Sequence, residues 1–525
     1  MREIKIYDTT LRDGSQGEGI SFSVNDKLKI ARKLDSMGMH YIEGGWPGSN
    51  PKDMEFFKEA KKIKFRRSEL VAFGSTRRAK TSPAKDENLK GFFKAGVKTV
   101  AVFGKTWDLH VAEVFKVPLQ ENLDMIQDTV EYLKSRKFKV FYDAEHFFDG
   151  YTHNKEYALE TLRAAAKGGC DAIILCDTNG GMITSELGVI VRAVVSEFGD
   201  SMPIGIHTHN DSGMAVANSI AAIQSGSSIV QGTINGYGER CGNADLCVII
   251  PNLQIKMEYN CLPKSKLKEL TEVSHYVSEV SNMKQQDNQP FVGRSAFAHK
   301  GGVHVNAVMK NPKTYEHVGP ETVGNHRRIL ISELSGQTNI ILKAKEIELD
   351  LSKNDPKTRK ILKLVQNLEN QGYYFEAADA SFELLVKKAL KKYKPFFTLE
   401  GFKVSIEKRE DNVLISEATI KVRVNRRIEH TAAEGDGPVN ALDNALRKAL
   451  NKFYPTLSNM HLSDFKVRVL DEKAGTAANV RVLIQSQDEK TSWNTIGVSE
   501  NIIEASWQAL ADSVEYKLLK DKIKS

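Results

Sequence analysis

Eight short apolar runs, each followed by a longer amphipathic stretch, fill roughly the first 250 residues of this chain, and that rhythm leaves few folds open. The runs lie at 4–8, 41–45, 70–74, 99–104, 139–147, 172–178, 204–210 and 228–236. Helical patterns stand between them, among them 54–63, 122–137, 184–198 and 215–226. The first helix is expected to start at a cap on Asn25 and to close at Gly38. Parallel strands need a crossover of a dozen or more residues, and here each connection is long enough to hold a helix. Eight such units predict an α/β (β/α)8 TIM barrel. An open doubly wound sheet usually has fewer strands and a Gly-rich phosphate loop after the first; no GxGxxG follows residues 4–8.

In such a barrel the chemistry collects at the C-terminal ends of the strands. Those ends carry Arg12 and Asp13, Glu43, Lys105, Asp143 and Glu145, Asp177 and Thr178, then His207-Thr208-His209. Asn235 and the loop 236–243 follow the last run. A strand has a side-chain period of two, so His207 and His209 share a face and can share one divalent cation. Taken alone, the pair is equally well a polar strand end bonded to its loops. Carboxylates, imidazoles and an amide drawn to one rim from distant strands favour a site.

The remainder of the composition narrows the class. At 525 residues the chain has room for two or three domains. A net charge of +7, spread along the sequence, does not argue for nucleic acid, and there is neither a signal-peptide core nor an apolar run of about 18 residues for a membrane. Five cysteines without a CxxC spacing fit free thiols in a reducing cytoplasm.

Three stretches resemble the 2-isopropylmalate synthase and homocitrate synthase family: Leu11-Arg12-Asp13-Gly14-Ser15-Gln16 with Lys27, the run 204–217 around His-Thr-His-Asn-Asp, and Gly238-Glu239-Arg240-Cys241-Gly242-Asn243. The run 4–51, ending in Gly44-Gly45-Trp46-Pro47-Gly48-Ser49-Asn50, is most similar to the branch of that family whose product is citramalate. The resemblance implies condensation of acetyl-CoA with a 2-oxo acid and hydrolysis of the thioester. By it, Asp13, His207, His209 and Asn243 would bind a divalent metal (Mn, Mg or Zn), and Arg12 would be the cation facing the keto oxygen. Glu145 would take part in proton movement; the plain alternative is an ion pair with Arg12. Asp143 and Thr178 would contact the substrate, Thr178 through its hydroxyl. Phe103, at the rim, would take up space that a larger substrate side chain needs, which favours pyruvate. Cys176 reads as a core thiol.

Three segments are expected: a catalytic barrel at 1–275, linker subdomains at 276–395, and a regulatory domain at 396–525. The linker resembles the family's segment that reaches the partner subunit's site, so that His304 would be an acid/base supplied in trans in a homodimer, with Tyr315 beside it. Relatives often have an acidic residue after the second histidine of this segment, where this chain has Val305-Asn306. Helices are expected at 340–351 and 357–371. The last segment repeats itself: Phe402-Lys403-Val404 returns as Phe465-Lys466-Val467, each half reading as three strands and a helix. This duplicated βββα plan resembles the family's regulatory domain, with isoleucine as the implied feedback inhibitor. The helix starts near Gly437 and Ser499 would hold it, with Ala441, Ile502 and Ala505 as an apolar lining. The alternatives are 2-isopropylmalate or homocitrate synthesis, an acyl-CoA lyase on the same barrel, or an amino-acid sensor without catalysis.

Overall fold

In β1 (Lys5–Asp8) Ile6 points outward and Tyr7 inward, and this alternation runs round a closed barrel of eight strands. The computed structural model describes residues 2–330, 341, 345, 355–408, 414–470, 478–489 and 491–524. After β1 come β2 (Tyr41–Gly45), β3 (Glu69–Ser75), β4 (Thr99–Lys105), β5 (Lys139–Glu145), β6 (Ala172–Asp177), β7 (Ile204–Thr208) and β8 (Ile229–Gly232). Neighbours pair in parallel in sequence order, and β8 closes on β1 with Lys5 opposite Ile229 and Asp8 opposite Gly232. Inside, Tyr7, Tyr41, Val71, Phe141 and Ile174 fill the barrel; outside, Ile42, Val100, Val140 and Val230 pack against the helices. The barrel is therefore a filled core with its open end at the strand C-termini.

Several boundaries differ from the sequence pattern. Strand β5 stops at Glu145 because His146 turns left-handed (φ 59) and the helix Phe147–His153 begins. Strand β8 stops at Gly232, since Asn235 is left-handed (φ 64) within a short turn. The first helix, Val24–Met37, is capped by Ser23 in a reciprocal box with Asp26, not by Asn25; Gly38 (φ 97) closes it as expected. The helices Pro51–Ala60, Leu119–Ser135, Thr184–Phe198 and Ala215–Gln224 stand where the apolar period puts them.

The chain divides into two compact units, Met1–Phe297 with Val318–His326, and Ala298–His317 with Arg327–Ser525. In the second unit, the antiparallel strands Thr398–Lys408, Leu414–Val424 and Arg427–Gly435 lead into the helix Pro438–Leu450. The plan is repeated by His461–Val469, Val480–Gln487, Ser492–Ser499 and the helix Ile502–Lys524. Ile420 and Val422 face Leu442 and Leu446 in the first repeat; Val482 and Ile484 face Ala509 and Leu510 in the second. The helix read at 357–371 is Pro356–Asn370, capped by Asp355; the one read at 340–351 lies outside the described residues.

One buried ion pair ties the first helix to the helix Pro51–Ala60 that follows β2. Lys27 Nζ donates to Asp53 Oδ1 at 2.5 Å and to the Gly44 carbonyl at 3.1 Å. Removing one partner strands the other charge in the interior, so Lys27→Ala should cost about 3–5 kcal/mol. The paired change Lys27→Met with Asp53→Leu should cost less. Urea unfolding followed on the barrel checks both.

Candidate active site

The loop leaving β1 turns back at Thr9–Gly14 and lays Arg12 across the barrel mouth. Arg12 Nε donates to Glu43 Oε1 at 2.5 Å, Nη1 pairs with Asp13 Oδ1, and the guanidinium carbon lies 3.8 Å from the centre of the Phe73 ring. Glu43, at the end of β2, also accepts from Thr9 Oγ1 at 2.7 Å and from the Tyr7 hydroxyl. Around this cation a cavity of about 220 Å³ opens. Arg12, Asp13, Asp143, Glu145, Thr178, His207 and His209 all line it, and Phe103 stands on its apolar side with Trp46 and Phe73. Every barrel residue that the resemblance gives a catalytic, substrate or metal role, except Asn243, thus faces one space.

The two imidazoles turn their Nε2 atoms to each other at 3.3 Å, and His207 Nε2 is 3.6 Å from Asp13 Oδ2. His207 Nδ1 is 2.8 Å from Gln231 Oε1, while Gln231 Nε2 donates to Asp143 Oδ1 at 3.4 Å. A Gln231 oxygen accepting from Nδ1–H leaves the Nε2 lone pair of His207 free to act as a ligand. Asn243 pairs with His209 as an isolated bridge, and its side-chain oxygen and nitrogen are buried without a hydrogen-bond partner among the described residues, as is His209 Nδ1. Glycines make that approach possible. A Cβ on Gly238 would lie 2.5 Å from Asn243 Oδ1, and Gly242 (φ 88) would bring one within 2.1 Å of the Gly236 carbonyl.

Electrostatics sort the carboxyls. Burial pushes Asp13 upward, but Arg12, His207 and His209 together hold it below its ordinary value. Burial, then the charge of Glu43, drives Asp143 well above the carboxylate range. Burial also takes Asp8 to about 7 and Asp177 to about 6. His209, through burial and then the neighbouring His207, falls to about 3 and is a neutral donor at physiological pH. The set offers a carboxylate oxygen, two imidazole nitrogens and an amide oxygen, the last with no other partner, and this suits a divalent cation. Among the described residues no three His, Cys, Asp or Glu side chains are grouped closely enough to hold a metal ion by themselves, so it is the chemistry of the donors that fits the ion.

Other expectations fared differently. Glu145 pairs with Lys105 rather than Arg12, because the two stand opposite each other in the β4–β5 register. Thr178 Oγ1 accepts from the His146 amide at 2.9 Å, which leaves the hydroxyl hydrogen free. Cys176 is buried and its thiol raised by that burial, as a core thiol should be. His304 and Tyr315 belong to the second unit, where both are exposed and their rings lie 4.3 Å apart; Glu316, nearby, is bound to His299 and Arg327. In that unit Ala441 and Ala505 are fully buried and Ile502 is exposed. Among the described residues of this unit, a cavity of about 560 Å³ opens instead between Val439, Asp443, Arg447, Leu462, Phe465 and Leu510. The sequence reading gave no role to Glu43, Trp46, Phe73 or Gln231; only Glu43 announced itself, as an acidic residue ending a strand.

Residues 3–277 match the HMGL-like family, 291–372 the homocitrate synthase post-HMGL domain-like family, and 376–518 the LeuA allosteric (dimerisation) domain. The first match spans more than half the chain and shows the class, an HMGL-like barrel protein. Over 523 residues, 99% of both chains, the sequence is 56% identical to the (R)-citramalate synthase of Geobacter sulfurreducens. It is 54% identical to that of Aquifex aeolicus, over 99% of this chain and 98% of the relative. Against the 2-isopropylmalate synthase of Methanocaldococcus jannaschii identity falls to 32%, over 98% and 95%. The chain belongs to the (R)-citramalate synthase family.

The elevation of Asp143 has a direct signature. Metal-free protein at pH 7 should show protonated-carboxyl C=O absorption in the infrared that loses one component in Asp143→Asn, while the contributions of Asp8 and the other raised carboxyls remain.

Proposed function

We propose that the protein is a cytoplasmic (R)-citramalate synthase, joining the methyl carbon of acetyl-CoA to the keto carbon of pyruvate and hydrolysing the thioester to release CoA. The observation that carries this reading is the placement of Arg12, a partly buried fixed cation, beside the donor set of Asp13, His207 and His209 in a small cavity with an aromatic wall. The full-length similarity to (R)-citramalate synthases supports it.

Asp13, His207, His209 and Asn243 would hold a divalent ion, which supplies Lewis acidity toward the keto group of the oxo acid. Arg12, locked by Glu43 and Asp13, aims its remaining donors at the oxygen on which negative charge grows during carbon–carbon bond formation. Because the ion pairs are already made, that stabilisation needs no rearrangement as the bond forms. Thr178 donates its free hydroxyl hydrogen to the substrate carboxylate, and protonated Asp143 can donate in the same space without adding negative charge. Glu145, oriented by Lys105, is placed to take part in moving the proton from the acetyl methyl. His304 and Tyr315 act as acid/base and neighbour from the linker of the partner subunit in a homodimer. Phe103 shortens the room for the oxo-acid side chain, and the C-terminal unit binds isoleucine as inhibitor.

In a thiol-release assay with acetyl-CoA, pyruvate should give the largest kcat/KM, well above 2-oxoisovalerate and 2-oxoglutarate. EDTA should abolish release, Mn or Mg should restore it, and His207→Ala should lose both turnover and metal. Isoleucine preferred over leucine as inhibitor, with about 5–150-fold coupling, would place regulation in the C-terminal unit if Asp443→Ala weakens inhibition without lowering the uninhibited rate. Equal inhibition in Asp443→Ala would move the effector away from the cavity at Asp443.

A further inference from the structure

Trp46 is not among the residues with a role in the reaction above, yet it is held more firmly than any catalytic step requires. Its backbone amide donates to Asp53 Oδ2 at 2.9 Å, and Asp53 is itself fixed by Lys27. Its indole Nε1 donates to Asn88 Oδ1. Asn88 in turn spends its Nδ2 hydrogens on Ser75, at 2.8 Å to the carbonyl and 3.2 Å to the hydroxyl, so its side chain cannot turn away. The turn carrying Trp46 lies against the helix Glu87–Ala95 so closely that a Cβ on Gly48 would stand 2.9 Å from the Asn88 carbonyl.

What this holds in place is one wall of the cavity. The Trp46 ring meets Phe73 at 5.8 Å and Phe103 at 5.5 Å, both edge-on, while Phe73 and Phe103 stack at 5.3 Å. Phe73 is already committed to the face of Arg12. The polar side of the cavity, from Arg12 to His209, takes the carboxylate and keto group of an oxo acid; its alkyl group must then face the three rings. We propose that Trp46, clamped at both ends, is the fixed stop that limits the length of the oxo acid's side chain, and that Asn88 is a positioning residue for that selectivity. A loose indole could swing aside for one more methylene; a clamped one cannot.

The inference rests on the oxo-acid condensation proposed above, and one assay separates the two. The wild type is measured first with pyruvate and acetyl-CoA: absence of CoA release there overturns the reaction itself. The ratio of kcat/KM for 2-oxobutanoate to that for pyruvate is then compared across variants. One methylene in an apolar pocket is worth about 10–200-fold, so Trp46→Ala and Asn88→Ala should each raise the ratio by about tenfold or more. Trp46→Phe, which keeps a ring but has no N–H, should raise it too, and adding Asn88→Ala to Trp46→Phe should change it no further. Asn88→Asp, which keeps an acceptor for the indole but turns an oxygen toward the Ser75 carbonyl, should loosen the clamp and raise the ratio as well. An unchanged ratio in Trp46→Ala or Trp46→Phe, or a full additive effect of Asn88→Ala in the Trp46→Phe background, overturns the proposal. If Asn88→Ala does not fold, the ratio in Trp46→Phe decides.

Discussion

The Arg12 guanidinium, held between Glu43 and Asp13 and laid on the face of Phe73, is the interaction on which the barrel mouth depends. Asp8, Asp13, Glu43 and Asp143 all lie buried at this end of the barrel. Such a crowd cannot stay fully ionised without a matching cation, since an unpaired buried charge costs several kcal/mol. The arrangement resolves the conflict by division. Arg12 holds Asp13 ionised against the cost of burial and bonds directly to Glu43, while Asp143 and Asp8 rise toward their protonated forms. A site results in which the charged and neutral carboxyls have distinct positions before any substrate arrives, the kind of preorganisation that makes electrostatic stabilisation effective.

Outward from that pair, each layer fixes the next. Gln231 accepts from His207 Nδ1, the backbone bridge sets Asn243 beside His209, and the glycines at 238 and 242 let the loop around Asn243 close on itself. On the apolar side, Asp53 and Asn88 hold Trp46 against Phe103. The polar and the apolar side of the cavity thus have separate supports.

Much of this was legible in the sequence for physical reasons. Strand alternation announces which residues point inward, so His207 and His209 could be placed on one face, and Arg12, Asp143 and Thr178 on one rim. Strand ends were overrun where a non-glycine residue turns left-handed: His146 and Asn235 carry no punctuation that a reader could see. Pairings across strands were not legible either. Lys105 meets Glu145 because the β4–β5 register sets them side by side, and nothing in the separate segments states that register. The clamp on Trp46 joins residues from three segments, and only the fold brings Asp53 and Asn88 to it. The internal repeat, by contrast, survived into the structure as two βββα units, because each half carries its own complete alternation and helix.

The proposed metal site makes the two imidazoles of β7 and its following loop ligands of one divalent ion beside Arg12. Loading the protein with Mn(II) and recording pulsed electron paramagnetic resonance tests it without reference to turnover. Hyperfine coupling to two imidazole nitrogens is expected, reduced to one in His209→Gln. A bound Mn(II) ion with no nitrogen coupling, or with coupling unchanged in that variant, would contradict it.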